Sequence, residues 1–248
     1  MDMVLLETQD LVKKYSGRTV VNKVSLEVHE RQIVGLLGRN GAGKTTSFRM
    51  IIGMIRPEAG KVIFEGRDVT QMAMYQRARH GMGYLSQEPS VFQRLTVEQN
   101  LLAILETMSL TRRDRHRRAN GLIEQFGLET VRKQHGRLLS GGERRKLEIA
   151  RALVTNPSLI LLDEPFSGVD PIAVQDLQVE IRQLQERGIS ILITDHNVER
   201  TLEVVDQGYI VNEGKILSCG TPHELINNPM VRKAYLGSTF RGDEFNED

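Results

Sequence analysis

Three short segments carry residue types suited to phosphate chemistry. The first is Gly38-Arg39-Asn40-Gly41-Ala42-Gly43-Lys44-Thr45, with Thr46 next. Its spacing is that of a phosphate-binding loop between a strand and a helix. Glycines there let backbone N–H groups curl around phosphate oxygens without side-chain clash. The helix N-terminus adds a dipole that favours the anion. Lys44 is placed to neutralise the β- and γ-phosphates of a nucleoside triphosphate, and the Thr45 hydroxyl to hold Mg²⁺. The second segment, Leu159-Ile-Leu-Leu-Asp163-Glu164, is an apolar run that delivers two carboxylates at its end. Asp163 suits Mg²⁺, directly or through water. Glu164 suits orienting and polarising an attacking water as general base. The third, Leu139-Ser140-Gly141-Gly142-Glu143, precedes a strong helical pattern over Arg144–Thr155. Ser140 and two glycines at a helix start make another anion site. Each segment has a plainer reading: a glycine-rich turn, a strand end, an N-cap. The Lys44-Thr45 pair and the joint order of the three decide against it.

These residues need elements to hold them. Gln32–Leu37 reads as a buried strand, continuously apolar, and Thr45–Ile52 as the helix that follows the loop. Leu26–Val28, Lys61–Phe64 and Met82–Leu85 read as further strands. From Thr96 to Thr155 apolar residues recur at helical spacing (Leu101, Leu102, Leu105; Leu122, Ile123, Phe126; Leu147, Ala150, Leu153, Val154), which predicts an all-helical insert. Alternation resumes with strand Leu159–Leu162, helix Pro171–Arg187, strand Ser190–Thr194 and helix Val198–Val204. Pro171 suits a first turn, and Gly188 follows the helix end. Gly208–Val211 and Ile216–Ser218 predict a hairpin turning at Asn212–Gly214. Alternating strands and helices imply a largely parallel sheet covered on both faces. Ligands on such sheets sit beyond the carboxyl ends of the strands.

The bulk numbers exclude several classes. Of 248 residues, 40% are hydrophobic and 26% charged, the balance of an ordinary globular chain. A formal net charge of +1 gives no global field toward nucleic acid or anionic lipid. The basic run Arg112–Arg118 reads as a solvated helix face. Cys219 is the single cysteine, so no intramolecular disulfide forms. Its expected role is a buried structural thiol in a reducing compartment. No signal-peptide pattern opens the chain, and no run reaches the ~20 apolar residues that span a bilayer. Service to a membrane would therefore go through a partner, with no direct membrane insertion.

Taken together, the motifs resemble the ABC ATPase family over nearly the whole chain. Leu139–Glu143 is similar to the family signature. Gln87, after strand Met82–Leu85, is similar to the Q-loop glutamine, which feels Mg²⁺ or the attacking water. Ser167-Gly168-Val169-Asp170 resembles the D-loop, His196 the switch histidine, and Tyr15 the aromatic that stacks on adenine. The resemblance implies a P-loop NTPase α/β core with a mostly parallel sheet, an N-terminal antiparallel β part and an inserted all-helical subdomain. It implies one ABC ATPase domain over 1–248, with the insert at 88–155 carrying the signature. ATP with Mg²⁺ is the implied ligand. Glu164, His196 and Gln87 are the implied catalytic set, and Thr45, Gln87 and Asp163 the metal set. The nucleotide would lie between Tyr15 and Gly38–Thr46 of one subunit and Ser140, Gly141, Gly142 and Asp170 of a second copy, a nucleotide-sandwich homodimer.

Within the family, "LSGGERRKLEIARALVTNPSLILLDEPFSGVDPIAV" and "ITDHNVERTLEVVDQGYIVNEGKIL" are most similar to the ATPases of lipopolysaccharide export. Branched-chain amino acid importers share "GRNGAGKTT" but usually carry glutamines where this chain has Glu143, Arg144 and Arg145. In this family the region after the Q-loop forms a groove for integral membrane subunits. Here it is Glu88–Leu95, with Phe92 as apolar anchor, Val91 and Leu95 as lining and Arg94 as a pairing charge. The implied place is cytoplasmic, on the inner face of the inner membrane. A soluble relative acting on DNA or ribosomes is the competing class. The chain lacks the long coiled coil and the second cassette such relatives carry, so no nucleic acid is expected. A regulator without turnover is a third reading, and Glu164 and His196 speak against it.

Overall fold

The computed structural model describes residues 3–167 and 171–233. Two sheets organise it. The first is antiparallel, in the order β2-β1-β4-β5, built from β1 (Val4–Tyr15), β2 (Arg18–His29), β4 (Ala59–Phe64) and β5 (Arg67–Asp68). The second has the order β10-β9-β3-β8-β7-β6. It contains β3 (Ile33–Leu37), β6 (Met82–Leu85), β7 (Leu159–Asp163), β8 (Ser190–Asp195), β9 (Gln207–Asn212) and β10 (Lys215–Gly220). Within it, β6, β7, β8, β3 and β9 run parallel, and β10 closes one edge antiparallel. The sequence-derived strands sit where expected, but β1 was not read from its pattern. It mixes Lys13, Lys14, Glu7 and Asp10 with its apolar residues, and bulges break its alternation.

The parallel strands are buried on both faces, and the period of two sorts their side chains between two cores. Val34, Leu36, Leu159, Leu161 and Leu192 pack with the antiparallel sheet and with α1 (Lys44–Ile52). Ile33, Leu37, Ile160, Leu162, Ile191 and Ile193 pack on the other side. That second core takes in α3 (Val97–Leu105), α4 (Arg112–Gln125), α5 (Gly141–Ala152), α6 (Pro171–Glu186) and α7 (Val198–Leu202). The helical insert read from Leu101, Leu122 and Leu147 is thus present, and these residues form its interior. Three short helices among the described residues have no counterpart in the sequence expectations, each being too short to show a period: α2 (Met74–Arg79) and the two that follow β10. The described residues end with α8 (Pro222–Asn227) and α9 (Pro229–Val231). No helix among the described residues is long and apolar enough to cross a membrane.

Two side-chain expectations are corrected. Cys219 is exposed, because β10 is an edge strand and Cys219 falls on its outward face. Val91 is buried in the helical core, so it is not free to line a docking groove.

Candidate functional site

The phosphate loop leaves β3 at Gly38 and enters α1 at Lys44. Gly41 and Gly43 have φ of 80° and 109°, values only glycine adopts without strain. A Cβ on Gly43 would also come 2.7 Å from the Val20 carbonyl oxygen. No side chain caps α1 at its N-terminus, so its first N–H groups are left for an anion. Lys44 is buried. Its ammonium donates to the Gly38 carbonyl at 2.5 Å and the Arg39 carbonyl at 3.1 Å. Burial pushes its pKa down, opposed by the carboxylates of Glu164, Asp195 and Asp163. An ammonium has three donors, so one remains for a phosphate oxygen. The β9–β10 turn braces the loop: the Gly214 N–H donates to the Ala42 carbonyl at 2.8 Å.

A cavity of about 380 Å³ opens on this loop. Asn40, Gly41, Gly43, Lys44, Thr45 and Thr46 line it together with Gln87 and Glu164. Asp163 ends β7 and is buried; desolvation raises its pKa, and a hydrogen bond from Tyr84 opposes that shift. The Tyr84 hydroxyl donates to Asp163 Oδ2 at 3.2 Å. Burial, then the Asp163 charge, pushes the Tyr84 phenol up to about 12, so it stays a donor.

Glu164 turns out of the strand with φ 48°, a left-handed conformation unusual for a non-glycine residue. Its N–H donates to the Thr194 carbonyl at 2.7 Å, which holds that turn against β8. Its Oε2 accepts from Gln87 Nε2 at 3.1 Å and lies 3.3 Å from His196 Nδ1. His196 Nδ1 is also 3.5 Å from Asp195 Oδ1. Asp195 is buried with its pKa raised, chiefly by desolvation. It accepts backbone N–H groups from Asn197 at 2.8 Å and Phe166 at 3.1 Å. Gln87, Glu164 and His196, scattered in sequence, therefore meet around one carboxylate oxygen.

Ser140 caps α5 in a reciprocal box: its N–H and hydroxyl both donate to Glu143 Oε2 at 2.8 Å, and the Glu143 N–H donates back to Ser140 Oγ at 3.3 Å. The lining of the phosphate cavity includes none of Ser140, Gly141 and Gly142. Gly141 and Gly142 instead face a separate cleft of about 360 Å³, shared with Gln87, Pro89, Glu164 and Ser167. Tyr15 ends β1 and is half exposed, with Lys13 Nζ 5.6 Å from its ring centre. Asp170 lies outside the described residues.

Phe92 is 48% exposed, so its ring is available at the surface. The Arg151 guanidinium stacks 4.5 Å from its ring centre and also donates to the Ser90 carbonyl. Glu148 accepts from the Ser90 N–H at 3.1 Å and pairs with Arg145 at 3.1 Å. The segment after Gln87 is thus fastened to α5, the helix that Ser140 opens. Sequence reasoning missed Tyr84, Glu148 and Arg151; their roles depend on contacts distant in the chain.

A family model described as "ABC transporter" matches residues 21–167. The lipopolysaccharide export system ATP-binding protein LptB of Haemophilus influenzae is 50% identical over 96% of this chain and all of its own length. LptB of Escherichia coli (strain K12) is 49% identical over the same share of each. Among solved structures, the ADP conformation of an ATP-binding cassette of an ABC transporter superposes with a TM-score of 0.86. It is 27% identical and matches 95% of this chain and 100% of its own.

Proposed function

The chain belongs to the ABC transporter ATP-binding family, and from that premise we propose that it is the ATP-hydrolysing motor of a lipopolysaccharide export system. The observation that carries the cargo is the identity of about one half to LptB proteins across nearly the full length of both chains. The chemistry rests on the convergence at Glu164.

ATP would stack its base on Tyr15 and set its phosphates against Gly38–Thr46. Lys44 spends its remaining donor on the γ-phosphate, and the α1 N-terminus adds its dipole. The Thr45 hydroxyl, the Asp163 carboxylate and the Gln87 amide oxygen are hard oxygen donors, the set that Mg²⁺ takes. When bound, Mg²⁺ supplies Lewis-acid neutralisation of charge on the phosphate oxygens. Gln87 and His196 both engage Glu164 Oε2, which leaves Oε1 to accept the proton of the attacking water. His196 then stands where it can sense the γ-phosphate.

A second copy would complete the site. Ser140, Gly141 and Gly142 of one subunit, with Asp170 near the seam, would cap the phosphate held by the other. Residues 88–155 act as one inserted unit, with Gln87 just before its start and Ser140 toward its far end. Integral membrane subunits dock beside Glu88–Leu95, where Phe92 offers exposed apolar surface. The subunit then sits on the cytoplasmic face of the inner membrane.

Glu164→Gln tests the assignment. The amide keeps its size and polarity, so Mg-ATP binding persists and drives a dimer that ADP does not. Turnover falls about 10²–10⁴-fold, the contribution of a positioned base. In cells depleted of their own export ATPase, the wild-type chain, supplied with the membrane subunits that copurify with it, restores lipopolysaccharide at the outer surface; Glu164→Gln does not. Near-normal turnover removes Glu164 from the role. Restored ATPase activity without restored export removes the cargo assignment and leaves the ATPase.

A further inference from the structure

The carboxylate of Asp163 is held by more than its own strand. In the parallel pairing of β6 with β7, Tyr84 lies opposite Leu161. Leu161 and Asp163 are two residues apart and share the face of the sheet that looks toward α1. The Tyr84 side chain occupies that face, and its hydroxyl reaches past Leu161 to Asp163 Oδ2 at 3.2 Å. Its ring sits 6.3 Å, centre to centre, from that of Phe48 at a tilt of 53°. Phe48 is one helical turn beyond Lys44 on α1 and is fully buried. One aromatic therefore bridges the helix that begins at the phosphate loop and the acid at the end of β7. Oδ1 of Asp163 takes no hydrogen bond among the described residues.

We propose that Tyr84 is a positioning residue for the divalent cation: its hydroxyl holds Asp163 Oδ2 and leaves Oδ1 as the oxygen offered to the metal. This rests on the reading of Asp163 as the metal ligand given above. A hydrogen-bond partner of this kind fixes the rotation of a ligating carboxylate, and its loss typically costs about 10-fold or more in metal affinity. Packing against Phe48 needs only the ring, so Tyr84→Phe removes the positioning and keeps the wedge.

The experiment measures Mn²⁺ binding by electron paramagnetic resonance in the presence of saturating ADP, for wild type, Tyr84→Phe and Asp163→Asn. Tyr84→Phe raises the Mn²⁺ dissociation constant about 10-fold, while ADP affinity in EDTA stays as in wild type and the thermal midpoint falls by only a few degrees, the cost of one lost hydrogen bond. Its hydrolysis shows the same split: the Mg²⁺ requirement rises and the rate at saturating Mg²⁺ recovers. If Asp163→Asn loses Mn²⁺ and Tyr84→Phe binds it like wild type, the role of Tyr84 is overturned and Asp163 keeps its own. If Asp163→Asn also binds like wild type, the underlying reading fails first. Should Tyr84→Phe not fold, 3-fluorotyrosine at position 84 reads the same contact: its ¹⁹F resonance shifts when Mg-ADP replaces metal-free ADP, and an unmoved resonance overturns the proposal.

Discussion

Helices α1 and α5 begin alike and are finished differently. Each begins at a glycine-containing loop and has an arginine bonded at or just past its C-terminus. At the N-terminus of α1 the cap is Gly43 and no side chain bonds the first turn. At the N-terminus of α5 the cap is Ser140, and Glu143 already takes its N–H and its hydroxyl. Behind α1, Arg77 is 1% exposed and donates to the carbonyls of Met50, Ile51, Thr70 and Met72. Behind α5, Arg118 is half-buried and donates to the Leu153 carbonyl and to Asn156. One helix is bolted at its rear and left open at its front. The other is closed at its front by its own carboxylate and lightly held behind. Under the proposed function, the first would receive an anion from outside; the second already holds one of its own, the Glu143 carboxylate.

The largest expected effect tests the bolt. Burial lowers the Arg77 pKa to about 10, opposed by Asp68, so the guanidinium stays charged at neutral pH. Arg77→Met strands buried carbonyls, each costing about 1–3 kcal/mol when left unpaired. Partial relaxation leaves a net loss of roughly 3 kcal/mol, read as a thermal midpoint lower by about 6–12 °C for a chain of this size. Arg118→Met should cost about 1 kcal/mol or less, since water can replace its contacts. Equal losses in the two variants break the comparison. Gly53 shows how tightly the bolt fits: a Cβ there would lie 2.7 Å from Arg77 Nε.

The next effect concerns the open front. Lys44→Ala removes a charge-assisted contact to phosphate worth about 1.5–3 kcal/mol, so ATP affinity of the isolated chain falls roughly 10–100-fold. Titration with a fluorescent ATP analogue reads it. Ser140→Ala leaves that affinity unchanged, because Ser140 lines no part of the phosphate cavity in its own chain. An equal loss from Ser140→Ala would place both helix ends on one nucleotide within a single subunit, against the proposed sandwich.

How much of this contrast the sequence reveals differs between its parts. The open front is legible because its meaning is local. A buried apolar run, then glycines at fixed spacing, then Lys44-Thr45 states both geometry and charge within a few residues. The same holds for the acids after Leu159–Leu162. The bolt is not legible: α2 spans six residues, too few for a period, and the carbonyls Arg77 caps lie up to 27 residues away. Tyr84 reads as an ordinary strand aromatic until the β6–β7 register brings it to Asp163, 79 residues on. Cys219 shows the complementary failure. Residue type argues for burial, and position on an edge strand decides for exposure.

The smallest effect lies at the closed front. Ser140 has one hydroxyl proton, and Glu143 holds it. To donate to a phosphate from a second copy, Ser140 must turn that proton away from a carboxylate. Glu143→Gln keeps an acceptor oxygen in the same place but makes it neutral, so the proton turns more easily and one negative charge leaves the phosphate's approach. In a Glu164→Gln background, Mg-ATP should then drive dimerisation at roughly two- to five-fold lower protein concentration, the scale of an exposed charge contact. Static light scattering across a dilution series measures it. The pH dependence supplies the control. Ser140 lowers the folded-state pKa of Glu143 through its backbone and hydroxyl bonds. The stability this confers is therefore fully present above the ordinary carboxyl pKa of about 4.3 and is lost as pH falls through the lower folded value. Wild type should lose thermal stability over that acid window faster than Glu143→Gln, and the two should run parallel above it. Parallel curves throughout mean that Glu143 carries no charge-dependent cap. Dimerisation weakened by Glu143→Gln means that its carboxylate assists closure rather than waiting to be displaced.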